Sequence, residues 1–244
     1  MLDLGSIALV LMLCALLSTL SYWFGLLSAS GATASFIMGI IIGSLGSVGW
    51  LVTLLAFTFL GFFVTKFQFQ KKKRLNVQEG VGGERTHVNV LANGLVPASI
   101  AVISFIVGAQ GSEIAGIAFI SSVAVAAADT TASELGVMSK KVYLITTGEK
   151  VPAGTDGGIS WIGTVSCIGA SIIASMIGWI AIFQLSPFNL IIMIPITMGI
   201  IGCMLDSVIG ATLENWGMIT KLGNNMITMA IGALMSIIAY LLFI

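Results

Sequence analysis

The chain has 244 residues, of which 57% are hydrophobic and only 8% are charged, with no net charge and a mean hydropathy of +1.09. Because a soluble domain carries about 25% charged residues, this composition argues against a soluble enzyme, a nucleic-acid-binding protein and a disordered protein. A spanning helix takes about 20 residues plus its turn. The sequence therefore predicts an all-α polytopic membrane protein with about eight transmembrane helices in a single domain, residues 1–244.

Apolar runs follow one another along the chain, and each is predicted to be a helix because backbone groups cannot stay unpaired in lipid. The second run is short and rich in glycine, and we expect it to be broken or re-entrant. The seventh contains Pro195 and several glycines, and we expect a kink there. The runs cover about 4–27, 33–48, 50–69, 88–108, 113–128, 160–184, 188–212 and 225–244.

The charged residues fall almost entirely into three stretches. Eight lie in 66–85, seven in 129–156 and three in 206–221, which leaves only Asp3 and Glu113 elsewhere. Two spans separate successive stretches, so all three share one side of the membrane. All ten Lys and Arg lie on that side, which predicts a multi-pass cell-membrane protein with this polar side in the cytoplasm and both termini outside. The predicted cytoplasmic loops are those near 70–86, 129–158 and 213–224.

Two carboxylates, Asp129 and Glu134, sit among small hydroxylated residues at the end of the fifth predicted span. An ionised carboxylate at that depth costs about 2.5–3.5 kcal/mol on insertion scales, so it needs a partner. Mg²⁺ is a natural one because it accepts carboxylates together with water and substrate phosphates. The stretch 128–136 therefore predicts a metal or catalytic site, with Thr130 and Ser133 as substrate or nucleotide contacts. A capping cluster at a helix end is the alternative.

A third carboxylate, Asp206, lies inside an apolar run with no basic residue within a turn or two. It needs a partner from another helix, and a metal or phosphate site shared with Asp129 is the simplest interpretation. Ser207, next in the chain, is a candidate contact of the same site. A protonated or hydrogen-bonded contact between helices is the alternative.

A glycine-rich loop precedes the sixth predicted span. Free backbone N–H groups at a helix N-terminus favour an anion, so the loop is a candidate phosphate cradle. It lacks the GK[ST] ending of a Walker A motif, and an ordinary turn is the alternative. The candidate residues are Gly154, Thr155, Asp156, Gly157 and Gly158.

A second glycine-rich turn leads through Glu84 and Arg85 into the fourth predicted span. Arg85 is suited to bidentate phosphate binding, and Glu84 beside it is a candidate contact. Asn89 and Asn93, four residues apart, are expected to face one cavity. The basic run 71–74 is interpreted as a positive-inside signal and an anionic-lipid contact, with Lys72 in solvent; a nucleotide contact is the alternative.

Five motifs occur here in an order that resembles the family of plant phytyl-phosphate kinases and transmembrane protein 19. They are GATASFIMG, GGERTHVNVLANG, ADTTASELG, VPAGTDGGISWIGT and LDSVIGATLE. The resemblance covers most of the chain and implies a multi-span enzyme that phosphorylates an isoprenyl monophosphate with a nucleoside triphosphate. More distantly, Asp129, Ala132 and the downstream glycine-rich loop are similar to CTP-dependent polyprenol kinases and CDP-diglyceride synthases. That similarity implies Mg²⁺ and favours CTP.

The favoured function is therefore a membrane-embedded kinase that converts a phytyl-, geranylgeranyl- or farnesyl-type monophosphate to the diphosphate. Asp129 and Asp206 are expected to hold Mg²⁺, with Glu134 as a third ligand, while Arg85 and the loop 154–158 bind phosphates. The expected partners are an isoprenyl phosphate lipid, a nucleotide and membrane lipids, with no nucleic acid; a homodimer is left open. The alternatives are a lipid-phosphate or small-anion transporter that uses the buried carboxylates, and a lipid cytidylyltransferase.

Overall fold

The computed structural model describes residues 4–184 and 190–243. Within them, seven helices are long and apolar enough to cross a membrane, and an eighth, Ala29–Leu45, is shorter. The helices are α1 (Leu4–Trp23), α2 (Ala29–Leu45), α3 (Val48–Lys66), α4 (Phe69–Arg74), α5 (His87–Ile106), α6 (Glu113–Gly136), α7 (Trp161–Phe183), α8 (Met193–Ile209) and α9 (Lys221–Phe243). The all-α, polytopic prediction is confirmed, and each predicted apolar run corresponds to one helix.

Helix α6 is the centre of the bundle. It packs against α3, α5, α7, α8 and α9, and its side chains from Ala115 to Thr131 are buried. Its many Ala, Ser and Gly residues let neighbouring backbones approach closely, which is how helices associate in lipid. Larger side chains fill the space on one side, where the rings of Phe119 and Trp50 lie 4.3 Å apart between centroids.

Successive long helices run in opposite directions, so the bundle has two distinct ends. We call the end that holds residues 24–28, 67–86, 137–160 and 210–220 the polar end. All ten Lys and Arg of the chain lie at this end. Leu4, the first residue of α1, and Phe243, the last residue of α9, lie at the opposite end.

A small antiparallel sheet at the polar end was not predicted. Its strands are β1 (Val142–Leu144), β2 (Lys150–Val151) and β3 (Gly158–Ile159), in the order β2-β1-β3. Val142 is paired with Val151, and Leu144 with Gly158. Strands of two or three residues are too short to show an alternating pattern, so the sequence carries no signal for them.

Three local expectations differ from the structure. Helix α2 is continuous, and Ser28 caps it by accepting a hydrogen bond from the Gly31 N–H at 3.1 Å. Pro195 lies in the first turn of α8, where no backbone N–H is needed, so the irregular turns flank that helix instead, at Leu190–Ile192 and Gly210–Glu214.

The third difference concerns the predicted loop 129–158, whose first part is helical. Helix α6 continues to Gly136, so Thr130 and Ser133 lie inside it and do not cap another helix. In this last stretch the Glu134 side chain bonds Thr65 of α3 and Lys72 of α4. The predicted turn at 186–189 and Asp3 lie outside the described residues.

Candidate functional site

A cavity of about 330 Å³ opens at the polar end between α5, α6, α8 and α9 and the loop 154–160. It brings together all the predicted site residues except one, although they come from distant parts of the chain. These are Arg85, Asn89, Asn93, Asp129, Thr130, Ser133, Glu134, Gly154, Thr155, Asp156, Gly157, Gly158, Asp206 and Ser207.

Asp129 and Asp206 meet across the α6–α8 contact. Gly202 of α8 lies so close to Val125 of α6 that a Cβ on the glycine would overlap the valine side chain. Each carboxylate follows its contact residue by four positions, on the same helix face, so the close approach carries forward to the aspartates. Both side chains line the cavity, near enough for their charges to interact, and Asp206 Oδ1 has no hydrogen-bond partner. A buried carboxylate beside a half-buried one that has an unpartnered oxygen forms a suitable position for a cation.

Arg85 lies on the wall of the same cavity. Its backbone is held by the α1–α2 turn: its N–H donates to the Leu26 carbonyl at 3.0 Å, and its carbonyl accepts from the Ser28 N–H at 3.0 Å. Its guanidinium passes over Gly61 of α3, where a Cβ would lie 2.9 Å from Nη1, and Nη2 donates to Thr65 Oγ1 at 3.1 Å. Arg85 Nε is buried without a partner, so the residue retains a donor for an anionic ligand.

The charge environment of Arg85 fits this interpretation. Burial lowers the pKa of its guanidinium below the ordinary value, and the nearby carboxylates of Glu134 and Glu79 oppose that shift. A buried guanidinium gains more from a phosphate than a solvated one does, because the surrounding dielectric is lower.

Lys221 is a cavity residue that the sequence interpretation missed. It begins α9, its side chain is exposed to the cavity, and the carboxylates of Asp129, Glu79, Asp156 and Asp206 are near enough to interact with its charge. In the sequence it is a single basic residue before the last apolar run, which is also what a positive-inside signal looks like.

Two adjacent asparagines of α9 were missed as well. Asn224 Nδ2 donates to the Asp206 carbonyl at 3.1 Å and to Glu214 Oε2 at 3.2 Å. Asn225 Nδ2 contacts Asn93 Oδ1 at 3.5 Å and so joins α9 to α5. A pair of amides inside an apolar helix was the available signal, since such groups need partners in lipid.

One prediction about the charged residues is contradicted. Lys72, expected in solvent, is 0% exposed and forms an ion pair of 2.6 Å with Glu134 Oε2. Glu134 Oε1 accepts a hydrogen bond of 2.8 Å from Thr65 Oγ1. Both oxygens of Glu134 are therefore engaged by other side chains; its role as a third metal ligand stays a prediction, and this arrangement favours a structural role instead. Across the described residues, no group of three or more His, Cys, Asp or Glu side chains is placed to hold a metal ion.

Glu84 is the predicted contact that the structure places outside the cavity lining. Its carboxylate accepts hydrogen bonds from the N–H groups of Gly82 at 2.7 Å and Val81 at 3.3 Å. Hydrogen bonds from backbone N–H groups, its own first and then that of Gly82, lower the pKa of Glu84. The residue shapes the turn before Arg85, and we leave it out of the site.

The glycine-rich loop is attached to the end of α8. Gly157 has a φ of +75°, and a Cβ there would overlap Ala211 Cβ in the π-helical turn Gly210–Glu214. The Gly157 carbonyl accepts from the Ile145 N–H at 3.0 Å, which ties the loop to the sheet. The small sheet thus places the loop backbone beside Asp206 and Ser207. Irregular π turns inside helices occur frequently at functional sites.

The family described as integral membrane protein DUF92 matches residues 12–235. The chain belongs to this family. It is 34% identical over 88% of its length to an uncharacterized membrane protein of Methanocaldococcus jannaschii, covering 86% of that protein. It is 30% identical over 87% of its length to the chloroplastic protein VTE6 of Arabidopsis thaliana, covering 65% of it, and 30% identical over 77% to the protein PGR of the same plant, covering 72%. No solved structure matches the chain.

Membership in DUF92 agrees with the integral membrane, multi-pass architecture. The relatives extend from archaea to plants. The five motifs that carry the resemblance lie within the matched residues 12–235. The residues assembled around the cavity come mainly from four of those motifs, at 82–94, 128–136, 151–164 and 205–214.

Proposed function

We propose that this DUF92 protein is a membrane kinase that transfers the terminal phosphoryl group of a nucleoside triphosphate, with CTP favoured, to an isoprenyl monophosphate. The observation that carries the proposal is the pairing of Asp129 with Asp206 in a cavity that also holds Arg85 and Lys221. Two carboxylates and two cations around one space suit a reaction between two phosphates and a divalent ion. The resemblance to plant phytyl-phosphate kinases and the similarity to VTE6 support the isoprenoid substrate class.

The residues present fit Mg²⁺. Asp129 and Asp206 would hold it, because Mg²⁺ is usually bound by one or two carboxylates together with water and substrate phosphates. The ion would neutralise the phosphate oxygens as charge moves between them. The unpartnered Oδ1 of Asp206 supports this assignment, since a buried oxygen without a partner is rare unless a ligand completes it.

Positioning and charge neutralisation provide most of the catalysis in phosphoryl transfer. Arg85 Nε and Lys221 Nζ bind phosphate oxygens on different walls, and Asn93 orients one of them. An oxygen of the lipid phosphate attacks the terminal phosphorus of the nucleotide, the bond to its bridging oxygen breaks, and the nucleoside diphosphate leaves. The attacking oxygen is already ionised at neutral pH, so the reaction needs no general base.

The polar end is assigned to the cytoplasm, because all ten Lys and Arg lie there, and both termini are assigned to the outside. Cysteines introduced at Lys73 and Gly111, which are exposed at opposite ends, test this orientation in intact cells. The native cysteines Cys14, Cys167 and Cys203 are buried and leave a low background. A membrane-impermeant maleimide is expected to label position 111, and labelling of position 73 instead would reverse the topology.

The reaction is tested with purified protein, Mg²⁺, a panel of nucleoside triphosphates, and phytyl or geranylgeranyl phosphate. The proposal predicts a prenyl diphosphate and a nucleoside diphosphate in equal amounts. Release of pyrophosphate with a nucleotide-linked lipid would contradict the kinase and assign the cavity to a cytidylyltransferase. An absence of any nucleotide consumption under these conditions would also contradict it.

A further inference from the structure

A chain of four hydrogen-bonded polar side chains runs from the cavity wall into the protein behind it. Lys72 Nζ bonds Glu134 Oε2 at 2.6 Å, and Thr65 Oγ1 donates to Glu134 Oε1 at 2.8 Å. Arg85 Nη2 then donates to the same Thr65 oxygen at 3.1 Å. Only the last member, Arg85, has a part in the reaction proposed above. The others extend its hydrogen bonding across α3 and α6 to the short helix α4.

The direction of α4 brings Lys72 into this chain. Gln68, just before the helix, has the left-handed backbone angles φ 50° and ψ 33° and turns the chain back toward the bundle. Lys72 is buried, whereas its neighbours Lys71 and Lys73 are exposed. Its ammonium group also donates to the carbonyls of Val64 at 2.6 Å and Thr65 at 3.3 Å. These carbonyls end α3 and lack intrahelical partners, so the lysine both completes that helix and neutralises Glu134.

The ion pair determines where the Thr65 hydroxyl points. A hydroxyl has one hydrogen to donate and rotates to suit its partners. Because Glu134 is fixed by Lys72, the Thr65 hydrogen points to Glu134, and a lone pair of its oxygen is left for Arg85. The guanidinium is therefore held over Gly61 with its Nε unpartnered. A donor held in place before the ligand arrives loses little entropy on binding.

We propose that Lys72 is a positioning residue that acts through Glu134 and Thr65 to hold Arg85 at the cavity wall. The inference rests on the proposed function for the role of Arg85 as a phosphate contact. The position of its guanidinium, however, can be measured without any turnover. Lys72 touches neither substrate nor metal in this arrangement. The buried pair therefore supports the phosphate site: Glu134 lines the cavity, and Lys72 holds it from α4, outside the cavity lining.

The chain offers an internal standard for this test, because Arg74 and Arg85 are its two arginines and Arg74 is exposed. Phenylglyoxal modifies guanidinium groups, and mass spectrometry of the purified protein gives the rate at Arg85 relative to Arg74. The test compares wild type with two variants, Thr65→Val and the double variant Lys72→Met/Glu134→Met. Lys73→Met, an exposed lysine of the same helix, is the matched control.

Thr65→Val keeps the ion pair and removes only the hydroxyl that links it to Arg85. The double variant removes both charges together, so neither remains buried without its partner and the protein is expected to fold. In Thr65→Val the Arg85 to Arg74 rate ratio is expected to rise about fivefold, the change that loss of one hydrogen bond produces. In the double variant the Thr65 hydroxyl remains but is no longer oriented by Glu134, so a smaller rise of about twofold is expected. Lys73→Met is expected to keep the wild-type ratio.

The melting temperature separates positioning from a general loosening of the fold. The inference requires the ratio to rise while the melting temperature stays close to that of wild type. A ratio that stays at the Lys73→Met value in both variants overturns it, and so does a rise that occurs only where the melting temperature falls.

Turnover with a prenyl phosphate then distinguishes this inference from the proposed function. If the protein is the proposed kinase, both variants are expected to raise KM for a phosphate substrate more than they lower kcat. A wild-type protein that shows the expected labelling but transfers no phosphoryl group would contradict the kinase and still support the role of Lys72.

Discussion

Asp129 and Glu134 lie on the same helix, five residues apart, yet the fold surrounds them differently. Both oxygens of Glu134 are engaged, one by Lys72 and one by Thr65. Asp129 instead faces a second carboxylate, Asp206, whose Oδ1 has no partner. Glu134, with both oxygens engaged, and Asp129, which faces a carboxylate with an unpartnered oxygen, are therefore separated by little more than one helical turn.

This difference distinguishes the residues that support the site from the residues that take part in the reaction. Buried polar groups are nearly always hydrogen-bonded, so an incomplete set marks a position that a ligand completes. Glu134 with Lys72 belongs to the frame that holds Arg85. Asp129 with Asp206 belongs to the centre where we place the cation and the phosphates. A carboxylate in a membrane helix is therefore assigned better from its partners than from its depth alone.

Replacing either aspartate gives the largest expected effect. Asp129→Asn and Asp206→Asn are each expected to lower kcat by about 10²–10³, the usual cost of removing one electrostatic contact from a reaction centre. The melting temperature is expected to stay close to that of wild type, because each change replaces a carboxylate in the cavity by a neutral amide of the same shape. Steady-state kinetics at saturating Mg²⁺ with thermal unfolding checks this. Near-wild-type turnover in either variant would contradict the assignment of that aspartate to the reaction centre.

Arg85→Lys keeps the charge but loses the planar donor set that bonds Thr65 and, in the proposed site, a phosphate. Turnover with a prenyl phosphate is expected to fall about tenfold, since lysine does not reproduce a bidentate contact. Lys73→Ala is the control, because that side chain is exposed on α4. Equal and mild effects of the two changes would remove Arg85 from the site.

A smaller effect is expected from the glycine-rich loop. Gly157 and Gly148 both have positive φ, +75° and +71°, but only at Gly157 does a Cβ meet a neighbour, Ala211. Each Gly→Ala change costs about 1 kcal/mol through the backbone angle, and Gly157→Ala also separates the loop from α8. A severalfold rise in KM for the nucleotide is expected for Gly157→Ala alone. Matching KM values in the two variants would exclude the loop as a phosphate cradle.

Much of the architecture could be predicted because lipid imposes simple requirements on the sequence. Apolar length predicted the helices, and the clustering of charge predicted which loops share an end. Asp129, Asp206 and Arg85 were identified as site candidates because isolated charges in or beside apolar helices need partners. The meeting of the two aspartates follows from close helix packing at Gly202, which the sequence shows only as a small residue.

The remaining features depend on chain directions that local sequence does not specify. The run 71–74 looks uniformly solvated, and the burial of Lys72 follows from the reversal at Gln68. Glu134 resembled a metal ligand because its partner, Lys72, lies 62 residues away in the chain. Lys221 was overlooked because one lysine before an apolar run also fits the positive-inside rule.

The central claim, that Asp129 and Asp206 hold the cation while Glu134 does not, is tested most directly by Mn²⁺ binding. Mn²⁺ replaces Mg²⁺ at oxygen ligands and is observed by electron paramagnetic resonance in purified protein with a non-hydrolysable nucleotide. Wild type and Glu134→Gln are predicted to bind one Mn²⁺ in the nucleotide complex, and Asp129→Asn and Asp206→Asn are predicted to lose it. Retention of Mn²⁺ in both aspartate variants, or its loss in Glu134→Gln alone, would contradict the account.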